Sequence, residues 1–139
     1  MIRTFVDAGV LIYAARGQGD IAEIALQILE DPEREFASSI FLQFEVLPKA
    51  IYHKQSSEIK FYELFFESVS FWANDTNHII ESAYREASKS GLGVMDALHI
   101  AAAISVKANE FITNEKPDKS IHRTKSIPVI SIYPQNNIC

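Results

Sequence analysis

The sequence predicts an α/β domain in which a mainly parallel sheet is covered by helices on both faces. Three observations lead there. Strand-like and helix-like segments alternate from one end to the other, the order that builds parallel sheets through helical crossovers. The 139 residues suit one compact domain with its own core, read as residues 1–139. A content of 47% hydrophobic and 22% charged residues is globular composition and sets aside the disordered class. No repeat, linker or low-complexity tract divides the chain.

Each element has its own local reason. In IRTFVDAG, Ile2, Thr4, Phe5 and Val6 are strand formers, and Gly9 marks a change of direction. VLIYAARG reads as a short helix stopped by Gly17 and Gly19. Asp20 is expected to cap IAEIALQILED, where Ile21, Ile24, Ala25 and Ile28 recur at helical spacing and Pro32 ends the run. REFASS is a short strand leading to Ser38 and Ser39, two candidate caps. SIFLQFEVLPKAIYHK is helical, with Ile40, Phe41, Phe44, Leu47 and Ile51 as the expected apolar face. Pro48 removes the bond to the carbonyl of Phe44, so a kink or break is expected near Glu45.

Ser56 or Ser57 is expected to cap EIKFYELFFES, and VSFWA has strand character. TNHIIESAYREASKSG is a helix ended by Gly91, and the apolar GLGVMDALHIAAAIS is the next. EFIT is a short strand, NEKPDKSIHRTKS a polar loop and IPVISI the last strand, with YPQNNIC expected to be loosely held.

Bulk features bound the setting. No apolar run reaches the ~20 residues that span a bilayer, so no membrane partner is expected. The N-terminus lacks a basic region followed by a long apolar core, which argues against a signal peptide. Cys139 is the single cysteine; it makes no internal disulfide and offers no zinc cluster. A cytoplasmic location is the expectation. The net charge of −5 argues, taken bluntly, against a polyanionic partner.

Parallel sheets collect reactive groups at the carboxyl ends of their strands. Asp7 ends the first strand, and Glu115 follows EFIT by two residues. Asp96 lies in the first turn of its helix, and Glu45 is flanked by Phe44, Val46 and Leu47. Singly, each has an ordinary role. Asp7 is an N-cap, Glu45 an exposed notch and Glu115 a solvated loop residue, while Asp96 favours the helix dipole by ~0.3–1 kcal/mol. Gathered in one cleft, they repel one another and raise each other's pKa. A hard divalent cation, Mg²⁺ or Mn²⁺, removes that cost. Such a cation acidifies a bound water and stabilises charge on a phosphoryl oxygen, and two can clamp both the attacking and the leaving oxygen.

With TFVDAGVLIY, the Glu of FEVLPKA, GVMDALHIAAA and FITNE in this order over nearly its full length, the chain resembles the PIN-domain family. The resemblance is to the group that includes VapC-type toxins of toxin–antitoxin pairs, and DALHIAAA is its most specific segment. It implies a three-layer α/β/α sandwich with a central, mainly parallel sheet. It also implies Mg²⁺- or Mn²⁺-dependent endoribonuclease cleavage of RNA phosphodiester bonds. Asp7, Glu45 and Asp96 match the first three family acids as metal ligands and catalytic residues. Glu115 stands where the family usually has Asp, two residues after Thr113, whose hydroxyl would orient a ligand or water.

The chain departs from the pattern twice. Gly9 stands where the family commonly has Ser, Thr or Asn, so a steadying hydrogen bond is expected to be missing. Glu115 is one methylene longer than Asp, with Asp118 as the alternative acid. His99, one turn from Asp96, is read as a packed, hydrogen-bonded helix histidine in preference to a general base.

Setting the four ligands aside leaves 14 of the 18 acids against 13 bases, a nearly neutral remainder. Lys116, Lys119, Arg123 and Lys125 run beside Glu115 against one Asp and are expected to contact RNA phosphates. FYELFFE is expected to be mostly core, with any exposed part serving a homodimer interface or an antitoxin segment. Two other classes compete. Gly9 and Glu115 motivate a non-catalytic PIN-like module that binds RNA or protein. FVDAGV suggests a phosphotransferase of the haloacid dehalogenase type, but Gly9 occupies the place of that family's second Asp. No Gly-rich phosphate loop, nucleophile elbow or zinc motif is present.

Overall fold

The computed structural model describes residues 1–134. Along the chain run β1 (Ile2–Val6), α1 (Ala8–Arg16), α2 (Asp20–Leu29), β2 (Arg34–Ser39), α3 (Ile40–Tyr52) and α4 (Ser56–Ser68). They are followed by β3 (Phe71–Ala73), α5 (Thr76–Ser90), α6 (Val94–Ser105), β4 (Glu110–Thr113), a 3₁₀ turn at Ser120–Arg123 and β5 (Val129–Ser131). The strands form one sheet in the order β3-β2-β1-β4-β5, and every pairing is parallel. The expected α/β/α sandwich is what forms.

The sheet is buried on both faces because its central strands alternate between two cores. Val6, Phe36 and Ile112 face one side and pack with Leu11, Leu42, Val46 and Tyr62 under α1–α4. Phe5, Ala37 and Phe111, register partners across β1, β2 and β4, face the other side. There α6 presents Ala97, Ala101, Ala102 and Ala103, whose small side chains let the helix lie close to the strands. Phe5 and Phe111 stack at a centroid distance of 5.6 Å.

β1 is central, and the chain builds outward to β2 and β3 before returning to β4 on the other flank. The order therefore reverses between β1 and β4. The crevice beyond the carboxyl ends of strands at such a reversal is where open α/β sheets bind ligands.

Several local expectations are corrected. The face that α3 buries is Leu42, Val46 and Ala50. Ile40, Phe44 and Ile51 are exposed, Phe44 by 76%. The helix begins one residue after Ser39, and Phe41 and Leu47 are half-buried at the border between its two faces. Pro48 does not break α3, which runs continuously from Ile40 to Tyr52. Gly19, not Asp20, is the N-cap of α2, while Asp20 lies in the first turn beside the helix dipole. Neither Ser56 nor Ser57 caps α4; Gln55 holds that place without a side-chain hydrogen bond. The polar loop contains the 3₁₀ turn, anchored by fully buried Ile121. Ser39 does cap α3 and accepts from Leu42 N, and Gly17 and Gly91 end α1 and α5 with left-handed φ of 66° and 68°. Cys139 and most of the YPQNNIC tail lie outside the described residues.

Candidate metal centre

The crevice between β1 and β4 is built from the strand ends. Asp7 follows β1 and caps α1, its Oδ1 accepting from Ala8 N at 2.8 Å. Its Oδ2 accepts from Thr113 Oγ1, at the end of β4, at 3.0 Å. Thr113 is fully buried, and its hydroxyl oxygen also accepts from Glu115 N at 3.1 Å. One hydroxyl thus ties the ends of the two central strands and sets the course of the chain into Glu115. The Glu115 carbonyl in turn accepts from Ser131 Oγ at 2.6 Å and His122 Nε2 at 3.1 Å.

Two helices supply the remaining groups. Glu45 lies mid-way along α3, and His99 donates from Nε2 to its Oε1 at 3.0 Å. His99 is fully buried on α6, and its Nδ1 has no hydrogen-bond partner among the described residues. Asp7, Glu45 and His99 each present a ligand-type atom, all within 4.8 Å of one another. Asp96, one turn earlier on α6, stands outside that tight group. Spacing of i and i+3 puts Asp96 and His99 on one helix face.

The electrostatics show how closely the acids gather. Burial pushes the Asp7 carboxyl above its ordinary range, opposed by His99 and by the hydrogen bonds from Ala8 and Thr113. The Asp96 carboxyl is pushed up to about 6, first by desolvation and then by the negative charges of Asp7, Glu115 and Glu45. Asp7 and Glu45 therefore share the tight group, and Asp96 on α6 is near enough to feel their charges and that of Glu115. Glu115, not Asp118, is the loop acid whose charge Asp96 feels; Asp118 is exposed. The group that sequence reasoning left unconnected is His99. It is packed and hydrogen-bonded as expected, but its partner is Glu45, and its spacing from Asp96 was the available signal.

The donor set suits a hard or borderline divalent cation: carboxylate oxygens on separate elements, an imidazole beside them, and a buried Asp that no Lys or Arg among the described residues neutralises. His99 holding Glu45 is the outer hydrogen bond that orients a ligating carboxylate.

The PIN domain family matches the chain over residues 4–122. The chain belongs to the PIN domain family. That span runs from β1 through α6 and β4 into the 3₁₀ turn, and so includes Asp7, Glu45, Asp96, His99, Thr113 and Glu115. Among curated proteins no sequence matches significantly. Solved structures with the same PIN fold include VapBC2 from Rickettsia felis bound to a DNA fragment from its promoter. That match has a TM-score of 0.70 and 18% identity and covers 94% of this chain and 98% of the other. A toxin–antitoxin complex from Klebsiella pneumoniae matches with a TM-score of 0.70, 20% identity and the same coverage. DNA-bound VapBC from Salmonella typhimurium matches with a TM-score of 0.68 and 16% identity over 95% of this chain and 99% of the other.

The basic residues of the loop after β4 in this PIN chain do not form one cluster. Lys116 lies beside Glu115, its Nζ 5.0 Å from the Tyr133 ring. Arg123 and Lys125 instead join Lys89 and Ser90 around one depression at the C-terminal end of α5. Lys119 is exposed between the two.

Proposed function

We propose that this PIN domain is an Mg²⁺- or Mn²⁺-dependent endoribonuclease that hydrolyses RNA phosphodiester bonds. PIN domains are, in general, nucleases. The observation that carries the reading is the convergence of Asp7, Glu45 and His99 within 4.8 Å, beside an Asp96 pushed up to about 6. Without a counter-charge this arrangement costs stability.

The bound cation supplies Lewis acidity and an acidified water. The chain's own residues do the rest. Asp7, Glu45, Asp96 and Glu115 offer the ligating oxygens. Thr113 fixes the rotamer of Asp7 by its 3.0 Å hydrogen bond, and His99 fixes that of Glu45. Lys116, Lys119, Arg123 and Lys125 offset the charge of an RNA backbone drawn across the acids, and Lys89 joins them.

The same reading extends to partners. The Klebsiella pneumoniae neighbour is a toxin–antitoxin complex, and this chain is read as a toxin with an antitoxin protein as its partner. A groove beside Glu45, lined by Ile12, Arg16, Lys49, His53 and Tyr62 among others, suits an antitoxin segment. The apolar depression between α5 and α6, with Ile80, Tyr84, Val94 and Leu98, suits a second copy in a homodimer. FYELFFE is divided: Tyr62, Phe65 and Phe66 are buried, while Leu64 is exposed with the two glutamates. RNA as substrate sets the action in the cytoplasm.

The test is incubation of the purified protein with mixed RNA and Mg²⁺ or Mn²⁺, beside Asp7→Asn and Asp96→Asn. Metal-dependent cleavage lost in both variants supports the enzyme. RNA that stays intact, together with no metal binding, favours the non-catalytic RNA- or protein-binding module.

A further inference from the structure

Gly9 and Asn114 occupy one niche. A Cβ added to Gly9 would lie 1.8 Å from Asn114 Oδ1, 2.4 Å from Cγ and 2.9 Å from Nδ2. Real Cβ atoms never approach that closely, so the Asn114 carboxamide fills the space that any side chain at position 9 would take. Gly9 has no positive φ and sits in the first turn of α1. The glycine is therefore required by space, not by backbone conformation.

The location gives the niche its meaning. Asn114 follows Thr113, which donates to Asp7, and precedes Glu115, which donates from its backbone to Thr113. Those hydrogen bonds fix the backbone on both sides of Asn114 and leave its carboxamide out. The side chain is half-buried and reaches from the end of β4 to Gly9 in the first turn of α1, two residues after Asp7. The four acids assigned to the crevice only accept hydrogen bonds when ionised. A carboxamide carries two N–H donors, and a phosphodiester oxygen needs donors.

We propose that Asn114 is a substrate-binding residue of this crevice: its Nδ2–H groups hold a phosphodiester oxygen, and Gly9 is the cutout that admits the carboxamide. This inference rests on the nuclease reading for its substrate, while the shared niche stands on packing alone.

The experiment is a double-mutant cycle on the full chain with Gly9→Ser, Asn114→Ala and the pair. Cleavage of a labelled oligoribonucleotide with Mn²⁺, Mn²⁺ affinity and Tm are read for each. Anisotropy with Ca²⁺ in place of Mn²⁺ gives RNA affinity separately. Asn114→Ala is expected to lower kcat/KM about tenfold or more, the loss typical of a hydrogen bond to a charged group, with Mn²⁺ affinity within about twofold of wild type. Gly9→Ser is expected to lower Tm and kcat/KM in the Asn114 background and to lower neither further in the Asn114→Ala background, because contacting residues do not add.

Asn114→Ala with unchanged kcat/KM and unchanged RNA affinity overturns the substrate role. A Gly9→Ser effect on Tm that is the same in both backgrounds overturns the shared niche. If the wild-type protein cleaves nothing, the nuclease reading fails by itself. The RNA-affinity and Tm arms then still decide the two halves of this inference.

Discussion

Thr113 Oγ1 lies 3.0 Å from Asp7 Oδ2 and joins the carboxyl ends of the two central strands at the point where the strand order reverses. The hydroxyl is fully buried, and it is at once the donor to Asp7 and the acceptor for Glu115 N. Thr113→Val keeps the shape and removes both bonds. Leaving buried polar groups unpaired should cost about 1–3 kcal/mol, read by urea unfolding, and cleavage should fall with it. Thr113→Ser should retain most of both. Equal stability of the Val and wild-type proteins would show that the hydroxyl contributes nothing.

His99 holds Glu45 from a fully buried position on α6. Replacing it by Leu, of similar volume, removes the donor while keeping the core filled. Mn²⁺ affinity, measured by calorimetry, should drop about 10–100-fold, the usual consequence of releasing a ligating carboxylate from its outer hydrogen bond. His99→Gln, which keeps a donor, should recover part of it. An unchanged affinity in the Leu variant would remove Glu45 orientation from the account.

The Asp96 carboxyl, pushed up to about 6 by burial and by neighbouring acids, sets a pH dependence. The unfolded chain titrates this group at about 3.9. Between those values the folded metal-free protein binds more protons than the unfolded one, so stability falls as pH rises through that window. Metal-free Tm should therefore be higher at pH 5 than at pH 7.5. For a half-buried, partly screened group the difference is of the order of 1 kcal/mol. Mn²⁺ affinity should run the other way and rise as pH passes upward through about 6. Calorimetry at the two pH values checks both, and parallel trends would contradict the crowded-carboxylate picture.

Asp7→Asn and Asp96→Asn should each raise the Tm of the metal-free protein, because each removes a carboxylate whose charged form is disfavoured first by burial and then by neighbouring acids. Both should abolish cleavage, the usual opposition between stability and activity at a site of gathered charge. Thermal melts with and without Mn²⁺ decide the matter, since the metal should stabilise wild type more than either variant. Variants less stable than the wild type in EDTA would count against the repulsion.

Arg123 and Lys125 share a depression with Lys89 at the end of α5. Arg123→Gln with Lys125→Gln should weaken RNA binding and reduce the slope of log affinity against log salt by about 1 to 2, roughly one per lost phosphate contact. Fold and Tm should stay unchanged, because both residues are exposed. An unaltered slope would exclude these residues from the RNA path.

Much of this protein was written locally. Alternation of strand formers with helical periodicity, and glycines at 17 and 91 that must turn left-handed, determined the order of elements and the layered sheet. Asp7, Asp96 and Glu115 were legible for a similar reason. A carboxylate at a strand end or in a first helical turn is placed by the element that carries it. Other features depended on groups far apart in sequence. The buried face of α3 is the one that meets the core at Leu42, Val46 and Ala50, which periodicity cannot report. Glu45 met His99 across 54 residues, and Thr113 met Asp7 across 106. The basic loop divided because Ile121 is buried between its two ends. Gly9 read alone is an absent side chain; with Asn114 folded into its niche, it is room for one. Short-range sterics and periodicity act within a few residues and so are visible in the order of the amino acids. The spatial pairing of donors with acceptors is decided only when the parallel sheet brings distant strand ends to one edge.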